Sequence, residues 1–110
     1  MALCLGLSAA TAGAGTTEWM SLKKVPSYAA SMRALRKNGV VTEIKCGMRG
    51  NVPILKFIYK LIDKPVKYNY AWSIEGEKRY KKESEKAFSP KIRPVECHYK
   101  NFYYGIQNII

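Results

Sequence analysis

The chain has 110 residues and a formal net charge of +11, which leaves room for one domain and not two. Hydrophobic residues make up 47% of it, with eight Tyr, three Phe and two Trp, so the composition excludes a disordered chain. No apolar run approaches the roughly 18 residues that a membrane-spanning helix needs, and the charge favours anionic partners: nucleic acid, anionic lipid, acidic polysaccharide or acidic protein.

Residues 1–14, MALCLGLSAATAGA, begin with a short apolar run and pass into small residues. Ala12-Gly13-Ala14 has the small-x-small form that precedes cleavage, so the segment reads as a signal peptide that ends after Ala14. It lacks the basic residues that usually come before the apolar run, as a leader truncated at its start would. The mature domain is then 15–110, and the whole charge excess falls on it, because no charged residue precedes Glu18. Cys4 leaves with the leader. Cys46 and Cys97 remain, and in an oxidising compartment they form one disulfide. Two Cys and a single His do not make a zinc site.

Three markers recur along the domain: Trp19, Tyr28 and Cys46, then Trp72, Tyr80 and Cys97 at nearly the same spacings. The pattern predicts two weak repeats, at about 18–61 and 71–108, each a helix followed by a hairpin. The first helix is expected over 27–37, capped by Ser27, preceded by Pro26 and ended by Asn38-Gly39. A strand over 40–46 alternates with Val40, Ile44 and Cys46 on one face. A turn over 47–51, with Gly50 and Asn51 at its special positions, leads into a second strand over 54–60, with Leu55, Phe57 and Tyr59 facing in. A third strand covers 66–72, and a second helix covers 77–87, ended by Ser89-Pro90. Strands over 92–99 and 102–107 follow, joined by a tight turn at Lys100-Asn101, with Phe102, Tyr104 and Ile106 inward. The expected fold is α+β: two α-β-β units forming an antiparallel sheet of four or five strands, with two helices on one face.

Catalytic groups are scarce. His98 is the one imidazole, and its neighbour Cys97 points to the other face of a strand. The acidic residues show no pair placed for acid–base work, and neither a phosphate-cradling glycine loop nor a nucleophile elbow occurs. The sequence therefore predicts a protein without catalytic residues, metal or cofactor. Binding has more to work with. Lys23, Lys24, Arg33, Arg36 and Lys37 have no acidic residue among them between Glu18 and Glu43, and Lys56, Lys60 and Lys67 lie among strand aromatics. These eight are the candidate anion-binding residues. Tyr103 is the candidate exposed aromatic, because Phe102 and Tyr104 claim the inner face. The helix–hairpin unit is too common to imply a function by analogy. The expected function is a secreted or periplasmic binding module for an acidic protein or envelope polymer. The competing expectation is a cytosolic nucleic-acid-binding protein whose basic, aromatic-rich surface stacks bases and contacts phosphates.

Overall fold

A computed structural model describes residues 14–23 and 39–110 of the chain. Along them run strands β1 (Ala14–Thr16), β2 (Met20–Ser21), β3 (Gly39–Arg49), β4 (Val52–Leu61) and β5 (Lys67–Ser73). Helix α1 (Glu77–Ala87) and strands β6 (Val95–Tyr99) and β7 (Phe102–Ile109) follow. The expected first helix over 27–37 and the leader residues 1–13 lie outside the described residues.

The strands form two antiparallel sheets rather than one. In the first, β4 is central. The hairpin partner β3 takes one of its edges over the full length. The other edge is shared by β1, which pairs at Lys60 to Ile58, and β2, which pairs at Leu55 and Ile54. Thr17 fills the gap between them: its N–H donates to the Phe57 carbonyl at 2.9 Å and its Oγ1 accepts from the Phe57 N–H at 3.0 Å. In the second sheet β7 is central, between β5 and β6.

The expectation of one sheet carrying two helices is thus corrected: the fold is mostly β, with two sheets and, among the described residues, a single helix. The physical reason lies in β4. Both its edges are occupied, so β5 cannot join it and pairs with β7 instead. Of the repeat markers, Trp19 falls in the connection between β1 and β2, whereas Trp72 lies inside β5; Tyr28 lies outside the described residues.

Each sheet has one apolar face, and the two faces share a core of Leu22, Val41, Ile44, Leu55, Phe57, Phe102, Tyr104 and Ile106. A bulge in β3 decides which residues enter it. The register shifts between Val41 and Glu43, so Val41, and not the expected Val40, joins Ile44 and Cys46 on the buried side. One extra residue reverses the side-chain direction of everything before it. The sheets meet where β3 runs beside β6. The disulfide Cys46–Cys97 links them there, with Cα atoms 5.6 Å apart. The Asn108 side chain on β7 bridges to β3 like a strand backbone, accepting from Val41 N–H and donating to Val41 C=O, each at 2.9 Å. Tyr68 adds a hydroxyl hydrogen bond to the Gly39 carbonyl.

Helix α1 covers the other face of the second sheet, over β5 and β7. Glu77 in its first turn and Lys86 in its last suit the helix dipole. Its one buried side chain is Tyr80. That ring lies on Gly105 of β7, where any Cβ would collide with the Tyr80 hydroxyl. Two turns need left-handed residues: Gly50 in the β3–β4 hairpin (φ 63°) and Lys100 in the β6–β7 hairpin (φ 54°).

Candidate anion-binding site

The outer face of the first sheet is built by alternation. Leu55 and Phe57 enter the core fully, so Lys56, Ile58 and Lys60 point the other way. In β3, Ile44, Cys46 and Met48 pack inward, which turns Lys45, Gly47 and Arg49 outward. Register places Lys45 directly opposite Lys56. Four cations therefore share this face, and the single acid in β3 and β4 is Glu43, whose carboxylate lies 3.6 Å from the Lys45 ammonium. An exposed pair of that kind is weak. Like charges directly opposite on a sheet are unfavourable, so this face is not arranged for stability.

An aromatic ring completes the site. After Thr17 the chain crosses to the outer face, and the Trp19 ring lies over Gly47, where a Cβ would come within 3.6 Å of it. The Lys56 ammonium stands 4.9 Å from the ring centroid, within cation–π range. Trp19 remains 38% exposed. The result is a rigid, positively charged surface with a half-open indole at its centre. It can hold carboxylates, sulfates or phosphates and pack the apolar part of a ligand.

The eight candidate cations fall into three groups. Lys56 and Lys60 share this face. Lys23 is exposed just after β2, and Lys67 is exposed at the start of β5 in the other sheet, so neither joins them in one element. Lys24, Arg33, Arg36 and Lys37 lie outside the described residues. Lys45, Arg49 and Trp19 were missed. The signal for the first two was present: a strand whose Ile44 and Cys46 face in must turn Lys45 out.

The candidate exposed aromatic, Tyr103, points away from the core, but it is half-buried. It stacks between His98 (centroids 4.9 Å apart, 11° between planes) and Tyr80 (5.7 Å, 21°). The Tyr80 hydroxyl donates to Glu96 Oε2 at 2.6 Å. Burial first, then the hydrogen bond and negative charge of Glu96, hold the Tyr80 phenol far above its ordinary pKa. A cavity of about 260 Å³ opens here between α1 and β6. Cys97 is held in the disulfide, and His98 lies on the opposite face of β6. Among the described residues no three His, Cys, Asp or Glu side chains converge as metal ligands, and no helix is long and apolar enough to cross a membrane. No protein family, curated protein or solved structure matches this chain.

Proposed function

We propose that this protein is a non-catalytic binding module that works in an oxidising, extracytoplasmic compartment and holds an acidic partner, protein or envelope polymer, on the outer face of its first sheet. One observation carries the reading: Lys45 and Lys56 stand opposite each other beside Trp19, flanked by Arg49 and Lys60, with Glu43 as the lone acid of those two strands. A sheet pays for that juxtaposition in stability, and an anionic ligand relieves it. The Cys46–Cys97 bridge supports the location, because disulfides persist where thiols are not kept reduced.

The test is binding of polyglutamate and of a polyuronate to the oxidised chain across a salt series. Affinity should fall steeply with salt, and the double variant Lys45→Ala/Lys56→Ala should weaken it about tenfold, the scale of one or two lost charge contacts. Trp19→Ala should weaken binding with little change in the salt slope. Equal affinity of wild type and double variant for both polymers would remove this face from the function. Stronger binding to duplex DNA than to either polymer, with a slope near −0.9 per phosphate neutralised, would instead favour a nucleic-acid ligand. Intact-mass analysis of exported protein should show a chain beginning near Gly15.

A further inference from the structure

The cations on the outer face of the first sheet are evenly spaced. Arg49 stands opposite Val52, Lys45 stands opposite Lys56, and Lys60 follows four residues further along β4. At about 3.3 Å per residue, they occupy three levels about 13 Å apart, in a row about 26 Å long that follows the strands. Between these levels β3 and β4 carry no cation. At one intermediate level Gly47 faces Ile54, and the Trp19 ring lies over Gly47. At the other, Glu43 faces Ile58. Val52, 46% exposed, sits at the end of the row beside Arg49. Positive charge and apolar ground therefore alternate along the strand direction.

We infer that the acidic partner of this face is a linear polysaccharide bearing carboxylate or sulfate groups, laid along β3 and β4 with a sugar ring on Trp19. The inference rests on the anion-binding reading and narrows it to one class of polymer. Two observations choose sugar over an acidic protein. The first is where the cations lie. An extended peptide is held by main-chain hydrogen bonds to a sheet edge. Among the described residues the first sheet has little edge to give: both edges of β4 are paired, β3 runs beside β6 at the disulfide seam, and β1 and β2 are three and two residues long. Laid on the face instead, a peptide sets part of its amide backbone against Ile58, Val52 and the indole, away from water and without partners, which costs free energy. A sugar ring offers its apolar C–H face to the half-open indole and keeps its hydroxyls in water at the rim. The second observation is the spacing. Holding a flexible acidic peptide extended along the whole row costs backbone entropy residue by residue, whereas a chain of rigid rings has less to lose. A polymer with uncharged ground between its anions also passes Glu43 without setting an anion beside that carboxylate.

The test is a length series of oligogalacturonates titrated into the oxidised full chain, with sulfated oligosaccharides of the same lengths as a second arm. Affinity should rise with length until the oligomer spans the row and then level off, and the arm that binds more tightly identifies the anion. Lys45→Ala/Lys56→Ala should weaken every length about tenfold. Arg49→Ala and Lys60→Ala should each weaken the long oligomers about threefold, the worth of one exposed charge contact, and leave the shortest oligomers unchanged. Long oligomers should also shift the tryptophan emission of the wild type and not that of Trp19→Phe, because Trp72 lies in the other sheet. Polyglutamate that binds as tightly as both sugar series at equal charge, with no change in Trp19 emission, would overturn the inference and leave the cationic face its role. Affinity that depends on Lys45 and Lys56 but not on length would overturn it as well. Failure of every polyanion to bind would remove the anion-binding reading and this inference with it.

Discussion

The two sheets bury equivalent apolar faces in one core, yet their outer faces are finished in different ways. On the second sheet, α1 packs across β5 and β7, and two of its three acids pair along the helix: Glu77 reaches Lys81 at 3.6 Å and Glu83 reaches Arg79 at 3.1 Å. Helical spacing makes this easy, because residues four apart are neighbours. On the first sheet, β3 and β4 show solvent a face where neighbours are set by register, and register brings Lys45 to Lys56. The same residue types thus give ion pairs along the helix in one place and facing lysines in the other. Net charge alone does not locate a binding face; the spacing rule of the element that holds the charges does.

The largest test of the comparison is the tie between the sheets. Cys46 and Cys97 are 51 residues apart, and closing such a loop stabilises the fold by about 4 kcal/mol on the chain-entropy model. Replacing both with Ser should lower the melting temperature by at least about 15 °C, and thiol counting on denatured, unreduced protein should find neither residue free in the wild type. If the sheets depend on each other, both should melt in one transition by far- and near-ultraviolet circular dichroism.

Next in size is the buried amide that holds the cover of the second sheet. Gln107 is fully buried. Its Oε1 accepts from Ser89 N–H at 2.9 Å, and its Nε2 donates to the carbonyls of Ser89 at 2.7 Å and Ile92 at 2.6 Å. Gln107→Leu leaves the Ser89 N–H and the Ile92 carbonyl without partners, while the Ser89 carbonyl keeps the Ile92 N–H at 3.3 Å, and should cost roughly 3 kcal/mol. Limited proteolysis should then cut within residues 88–94. Anion binding at the first sheet should survive, which sharpens the separation of the two faces.

Gly105→Ala should cost about 1–3 kcal/mol, because the added methyl displaces the Tyr80 ring and with it the only buried anchor of α1. The smallest effect is on pH dependence. Tyr80 has a folded pKa raised above its ordinary 10.0 by burial and by Glu96. Below pH 10 both folded and unfolded forms are protonated there, and the stabilisation is fully present. Above it the unfolded chain loses a proton that the folded chain keeps, so stability falls as pH rises. Tyr80→Phe should flatten that alkaline decline in denaturant titrations while lowering stability near neutral pH by about 1 kcal/mol, the share of the lost hydrogen bond.

Much of the local structure was legible in the residues. The helix over 77–87, the turn at Lys100-Asn101, and the inward sets Leu55–Phe57–Tyr59 and Phe102–Tyr104–Ile106 follow from the proline stop, turn chemistry and alternation, all of which act over a few residues; the turn expected over 47–51 is confined to Gly50 and Asn51, because β3 stays paired with β4 through Arg49. The disulfide followed from counting Cys. The bulge at Thr42 was not legible, because nothing in Val40-Val41-Thr42-Glu43 marks which residue the ladder will skip; the choice depends on β4 and on Asn108 across the seam. Half of the candidate cation set was placed on residues outside those described, while Lys45 and Arg49 were passed over, because a strand lysine gains meaning only from the residue opposite it.

The sequence by itself determined that β3 to β7 are strands and α1 a helix, which face of β4 and of β7 is apolar, and that the domain is strongly basic. Those properties are set by side-chain period and local backbone preference. Tertiary structure alone decided that there are two sheets, that β1 and β2 close the far edge of β4, and that Trp19 lies beside facing lysines. Strand partners are chosen by competition for edges between residues far apart in the chain, and no local pattern records who wins that competition.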